Sequence, residues 1–364
     1  MFTADALRPL ADLSAPERAF LTVYLDAADD ASVLDSRFER ARSLLAEQPD
    51  ETEHFERSLE TAQGLLRDHA APRGGALAVF ASWAADLAAA VPLPVPVGTR
   101  VWMGDAPYVR PLYELLDEHE TFAAAVVDNT RARVFVVTAE EAAQEASVRG
   151  DVKNRVKKGG WSQKRYARRR EKELHHYAAD IAGALADLHD ERPFARLVLL
   201  GSEETALAVQ AVLRTDLADL LVAVDTAETD APEADLIAQA AALAEEAERE
   251  DERGLWREIR EQGLSGALGA FGATRVLEAL GAARAEALLI DREAELAGTK
   301  CRACEHVAHG TPETCQVCGS SDVFGVDLVE VFTERAAQTG ASVDFADPFP
   351  PLAEAGGVAA LLRY

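Results

Sequence analysis

Phe122-Ala-Ala-Ala-Val-Val127 and Ala132-Arg-Val-Phe-Val-Val137 are two short apolar runs joined across Asp128-Asn129, which predicts a β-hairpin. A third apolar run, Arg196-Leu-Val-Leu-Leu200, lies about sixty residues further on. Between the second and third runs, Leu174, Tyr177, Ile181, Leu185 and Leu188 recur at intervals of 3, 4, 4 and 3. That spacing is the buried stripe of an amphipathic helix. A helix from Ser162 to His189 would be about 40 Å long at ~1.5 Å per residue. Glu203 to Leu213 reads as a second helix and Leu220 to Val224 as another strand. Strands alternating with helices predict an α/β layer fold (α+β in its hairpin parts).

The flanks extend this reading. Phe20 to Leu25 and Ala76 to Phe80 read as strands, and Ala31 to His69 has helical spacing. Its apolar stripe is Leu34, Phe38, Ala41, Leu44 and Leu45, and Pro92, Pro94 and Pro96 break the segment after the second strand. Beyond a polar linker at Asp225 to Pro232, Glu233 to Gln262 is helical and heavily charged. Thr274 to Leu280 and Val326 to Gln338 read as helices. Ala287 to Ile290, Ala341 to Phe345 and Val358 to Leu362 read as strands. Three domains are expected, over 1–118, 119–228 and 229–364, the third with a small inserted metal-binding minidomain at about 298–324.

Only four cysteines occur, as Cys301-x-x-Cys304 and Cys315-x-x-Cys318, ten residues apart. Thiolates at this spacing wrap one tetrahedral metal, so a structural Zn2+ in a zinc ribbon is expected rather than a disulfide framework. His306 and His309 could replace a cysteine, but four thiolates suffice and leave no open catalytic position.

Charge is distributed just as unevenly. The chain carries a formal charge of −26, yet residues 153–172 hold ten of its 37 Lys and Arg against one acid, Glu171. That window is +9 and the other 344 residues are −35. A local phosphate-binding element follows, since the remaining surface repels nucleic acid. Its candidate RNA contacts are Lys153, Arg155, Lys157, Lys158, Lys164, Arg165, Arg168, Arg169 and Arg170, with Trp161 as a stacking face. Gly159 and Gly160 allow close backbone approach to a ligand. Gln163 offers a donor and an acceptor without titrating, so it can orient a water but cannot act as a general base. There is no run of about 18 apolar residues and no basic-then-apolar leader, so a cytoplasmic protein without a membrane span is expected.

Gly-Gly-x-x-Gln before an Arg-rich helix, after a two-strand start, resembles the central domain of the archaeal and eukaryotic class-1 peptide-release-factor and Pelota superfamily. The resemblance runs along nearly the whole chain. It includes the 20–25 and 76–80 strands, Gly104-Asp105 with Pro111-Leu112, and Phe271-Gly272 through Leu280-Gly281 to Ile290. It ends with Gly356-Gly-Val-Ala-Ala-Leu-Leu-Arg-Tyr364.

The departures are informative. In release factors glutamine follows the two glycines directly, whereas here Trp161 stands there and Gln163 comes two residues later. Gly160-Trp161-Ser162-Gln163 is similar to the Gly-x-x-Gln loop of Vms-type peptidyl-tRNA hydrolases. No Asn-Ile-Lys-Ser motif occurs, and Trp102-Met103-Gly104 replaces the Tyr-x-Cys element, so stop-codon reading is not implied.

The resemblance implies a three-domain release-factor-like architecture and a codon-independent release or rescue factor. Such a factor would hydrolyse the peptidyl-tRNA ester in the peptidyl-transferase centre, with Gln163, Gly159 and Gly160 as its catalytic loop. Ribosomal RNA and peptidyl-tRNA are the implied partners, with a translational GTPase as a candidate delivery factor. The alternative is a Pelota-like protein that silences idle ribosomes without hydrolysis. A free-RNA-binding module is a third reading, disfavoured by the −35 remainder.

Overall fold

The computed structural model describes residues 4–15, 17–118, 120–138, 142–149, 161–265 and 268–364. Two compact units emerge: residues 1–118 together with 252–364, and residues 119–251.

The first unit opens with α1 (Ala4–Ala11), β1 (Phe20–Asp26), α2 (Val33–Leu45), α3 (Pro49–Asp68), β2 (Ala76–Ser82), β3 (Leu87–Leu93), β4 (Arg100–Gly104) and α4 (Arg110–Glu118). The strands form an antiparallel sheet in the order β3-β2-β1-β4. Leu34, Phe38, Leu45, Phe55 and Leu59 bury the helical stripe against Leu21, Val23, Leu77 and Val79.

Three expectations change here. The single helical span 31–69 is two helices, because Pro49 cannot continue a preceding helix but suits the first turn of a new one. Leu44, expected on the stripe, is 72% exposed, while Leu45 takes the buried position. Pro92 does not end the sheet. It lies in edge strand β3, opposite Leu77, where a missing N–H costs nothing on the open side.

The second unit contains β5 (Phe122–Val127), β6 (Arg131–Val137), β7 (Ala142–Arg149), α5 (Trp161–Glu191), β8 (Arg196–Gly201), α6 (Glu203–Gln210), α7 (Thr215–Asp219) and β9 (Leu221–Thr226), followed by α8 (Glu233–Ser265). Its sheet runs β7-β6-β5-β8-β9, with the β5–β6–β7 meander antiparallel and β5, β8 and β9 parallel. Leu174, Tyr177, Ile181, Leu185 and Leu188 of α5 cover one face against Ala123, Val134, Val136, Leu197 and Leu199. Leu236, Ala240 and Ala244 of α8 cover the other against Val126, Phe135, Val198 and Leu200. A sheet buried on both faces explains why β5 and β8 read as continuous apolar runs.

The chain then returns to the first unit through β10 (Gly269–Phe271), α9 (Ala273–Gly281), β11 (Ala285–Asp291), β12 (Ala297–Cys301), β13 (Val307–His309), β14 (Val323–Asp327), α10 (Leu328–Thr339), β15 (Ser342–Ala346), α11 (Pro350–Glu354) and β16 (Val358–Leu362). One sheet runs β10-β16-β11-β15, with only β11 and β15 parallel, and a second runs β13-β12-β14. The helix expected from Val326 begins instead at Leu328. Asp327 caps it, its Oδ1 accepting the Val329 N–H at 2.9 Å. No helix among the described residues is long and apolar enough to cross a membrane.

Helix α10 carries two acidic residues into the junction with the first 118 residues. Glu330 is buried, and both its carboxylate oxygens accept backbone N–H groups, from Val109 (2.7 Å) and Arg110 (2.8 Å). One turn on, Glu334 accepts from Gln338 Nε2 at 3.1 Å. Burial, reinforced by Asp105, pushes the Glu334 carboxyl up to about 7, against the pull of Lys300 and Arg335. An acid with a raised folded pKa is held more tightly as the neutral form in the native state than in the unfolded chain. Stability from this group is therefore full below the ordinary carboxylate range and declines as pH rises towards 7. Glu334→Gln should remove that decline, matching the wild type near pH 4.5 and exceeding its Tm at pH 8. Thermal unfolding monitored by circular dichroism at the two pH values measures the difference.

Candidate functional site

Two places carry chemistry, one in each unit. In the 119–251 unit, the expected catalytic glycines Gly159 and Gly160, and the cations Lys153, Arg155, Lys157 and Lys158, lie outside the described residues. Helix α5 starts at Trp161, so the backbone of Trp161, Gln163, Lys164 and Arg165 belongs to its first turns, one residue before the expected start. The side chains of these four residues are likewise outside the description.

The N–H groups at the start of a helix have no acceptor within it and form the positive end of the dipole. Acidic residues ordinarily compensate there, yet the first turn of α5 has none, and Lys164 and Arg165 follow at once. Cations at this end oppose the dipole, and a bound anion relieves both.

The next three arginines part company. Arg168 is exposed. Arg169 is 68% exposed and meets Glu173 one turn on at 2.9 Å. Arg170 is mostly covered and donates through both Nη atoms to Glu204 on α6, with Nη2–Oε2 at 2.7 Å. The Glu204 carboxylate holds its pKa above the ordinary arginine value. Arg170 thus ties α5 to α6, a role its place in an arginine run does not disclose. Lys172, His175 and His176 continue the exposed face for two more turns, while Leu174, Tyr177 and Ile181 face the sheet. Sequence reading passed over the two histidines, although their position opposite the apolar stripe was available to it.

In the first unit, Cys301, Cys304, Cys315 and Cys318 bring their four Sγ atoms within 4.8 Å of one another. Cys301–Cys318 and Cys304–Cys315 are each 3.6 Å apart. Four thiolates around a tetrahedral ion at ~2.3 Å are about 3.8 Å apart, so the arrangement fits a metal. The expected alternates His306 and His309 are not members of the cluster.

The two Cys-x-x-Cys turns repeat one backbone pattern. Glu305 N–H donates to the Cys301 carbonyl (2.8 Å) and Gly319 N–H to the Cys315 carbonyl (2.9 Å). Cys301 N–H donates to the His306 carbonyl (3.0 Å) and Cys315 N–H to the Ser320 carbonyl (2.8 Å). Glu305 and Gly319, at equivalent places, have φ of +59° and +74°. Glycine suits the second, and Glu305 accepts strain to hold the first. Backbone N–H groups of Cys318 and Val317 aim at Cys315 Sγ and hold its thiol down to about 6, favouring the thiolate that binds metal.

Residues 107–245 match the family model described as bacterial archaeo-eukaryotic release factor family 10. The peptide chain release factor subunit 1 of Methanopyrus kandleri is 25% identical over 221 residues, 56% of this chain and 51% of that protein. The chain therefore spans about half the length of this curated relative. Among solved structures, Pelota of Archaeoglobus fulgidus aligns with a TM-score of 0.34 at 16% identity over 80% of this chain and 79% of its own. Dom34 of S. cerevisiae, described as a translation termination-like factor, aligns at 0.44 and 11% identity over 80% of both.

The purified chain is expected to carry a single tightly bound metal ion, read by elemental analysis. Cys301→Ser should lose it, and cobalt substituted into the wild type should show the visible bands of tetrahedral thiolate ligation. A metal-free wild type, or a variant that keeps its ion, would contradict the four-thiolate site.

Proposed function

We propose that the chain, whose similarity is to the release-factor and Pelota superfamily, acts on the ribosome as a codon-independent release and rescue factor. Its reaction would be hydrolysis of the ester joining the nascent peptide to tRNA in the peptidyl-transferase centre. The observation that carries this reading is the concentration of +9 in residues 153–172 of a chain that is −35 elsewhere, around Gly159-Gly160 and Gln163. A strongly acidic protein is kept off RNA except where that charge is reversed, so binding is confined to one element. In this reading, residues 119–228 form the catalytic segment, flanked by the functional segments 1–118 and 229–364.

The proposed chemistry is positioning. The cations follow ribosomal and transfer RNA phosphates, and Trp161 stacks on a base. Gln163, unable to take a proton near neutrality, directs a water towards the ester carbonyl. The backbone around Gly159 and Gly160 approaches the substrate closely, where one N–H aimed at the oxyanion is worth ~2.7–4 kcal/mol. RNA supplies the rest of the site, so activity requires the ribosome. We assign Zn2+ to the four cysteines as a structural ion: all four positions are thiolates and none is left for substrate. A cytoplasmic location and delivery by a translational GTPase accord with this role.

Trp161, directly after Gly-Gly where release factors place glutamine, favours a second reading in which the protein occupies idle ribosomes and silences them without hydrolysis. Peptide release from purified ribosomes carrying labelled peptidyl-tRNA separates the two. On the first reading the wild type releases peptide and Gln163→Ala loses ~100-fold or more while still binding. Equal release by the mutant would move catalysis elsewhere, and binding without release by either protein would select the silencing role. Replacing Lys157, Lys158, Arg168 and Arg169 together by alanine should weaken ribosome association and lower the slope of log K against log salt by about 3. An unchanged slope would refute the phosphate contacts.

A further inference from the structure

The metal turn and the first 118 residues meet through two charged contacts, both made by side chains beside a metal ligand. Arg302 lies inside the first Cys-x-x-Cys turn. Its Nη2 and Nε donate to Glu51 Oε1 of α3 at 2.6 and 3.2 Å. Glu51 is only 2% exposed, and the same oxygen accepts the Arg18 N–H at 3.2 Å. The Arg18 guanidinium stands 3.9 Å from Glu51 Oε2. Phe324 of β14 lies beneath both cations, with Arg302 4.5 Å and Arg18 5.1 Å from its ring centre. Lys300, on the other side of Cys301, pairs with Asp105 at the end of β4.

Arg302 is aimed at Glu51 by the turn that carries it. Its backbone N–H donates to the Asp322 carbonyl at 3.0 Å, and its Nη1 reaches Asp322 Oδ1 at 2.9 Å. The sheet behind it is small, with three, five and five residues in β13, β12 and β14. Such a sheet buries too little apolar surface to keep its turns ordered alone, which is the ordinary reason that a metal holds one. The buried Glu51 charge thus depends on a cation whose position depends on the four thiolates.

We infer that metal occupancy at Cys301, Cys304, Cys315 and Cys318 is coupled to docking of the metal-bearing sheet on residues 1–118, with Arg302–Glu51 and Lys300–Asp105 as the clasp. Loss of the ion frees the turn, leaves buried Glu51 with Arg18 alone and opens the contact. The coupling is reciprocal by linkage: whatever weakens the clasp weakens metal retention by the same factor. Glu51, about 250 residues from the cysteines in sequence, therefore helps to hold an ion that it does not touch.

Two measurements on the full chain test this. The first is equilibrium competition for zinc against a metallochromic chelator, comparing the wild type with Glu51→Gln, Asp105→Asn and the control Glu313→Gln, whose side chain is exposed in the metal loop. Glu51→Gln should bind zinc about fivefold more weakly or worse, Asp105→Asn should weaken it to a smaller degree, and the control should match the wild type. The second is amide exchange of the wild type before and after chelation, which needs no variant to fold. Protection should fall in residues 49–62 and 105–109 as well as in the metal sheet. Wild-type zinc affinity for both clasp variants, or loss of protection confined to residues 297–327, would overturn the coupling.

Discussion

The first unit depends on one buried carboxylate. Glu330 is the third residue of α10, where a capping box would turn its side chain back to its own helix start. Asp327 already caps α10, and Glu330 instead reaches the start of α4, where each oxygen takes one N–H. Burial pushes its pKa up, and the two N–H groups oppose the shift. With both oxygens accepting, the ionised form has its partners without a proton, beside the positive ends of two helices. The turn it grips is fixed from behind. Tyr24 hydroxyl donates to the Tyr108 carbonyl at 2.6 Å, and Tyr108 N–H donates to Thr22 Oγ1 at 3.0 Å. Arg110 adds contacts to Glu114 (2.6 Å), Asp327 (3.1 Å) and the Arg292 carbonyl (3.3 Å). Residues 1–118 and 252–364, separated by more than 130 positions, close into one unit through this knot.

None of that was legible beforehand, and the reason is physical. Periodicity records which face of an element is buried, so β5, β6, β8 and the stripe of α5 were read close to their observed limits. Cysteine spacing records a ligand set because the ion gathers it locally. A carboxylate's distant partner leaves no local trace: Glu330, Glu51 and Glu204 look like any other acid in a chain rich in them. Several strands were missed, and two of them have weak apolar signals. β7 (Ala-Ala-Gln-Glu-Ala-Ser-Val-Arg) and β3, with its alanines and Pro92, are both at sheet edges, where only one neighbour must be satisfied.

The candidate loop was legible in a different sense. Charge and glycine placement are what single it out, and the fold describes the helix that follows it. From Leu174 to Leu188, α5 is packed on its sheet by five apolar residues, so the helix that follows the basic window has a rigid support.

The arginine run shows how the fold divides labour among residues that sequence treats alike. An exposed pair such as Arg169–Glu173 contributes only about 0.3–0.5 kcal/mol, so a phosphate can replace the glutamate at little cost. Arg170 is different: its two-pronged contact with Glu204 is mostly covered on the arginine side, and breaking it would strand a half-buried charge. Arg168 and Arg169 are therefore available to a polyanion, while Arg170 holds the helix that presents them. A basic run at a helix start need not bind with every cation it contains. Here one of three adjacent arginines is spent on keeping the other two in place.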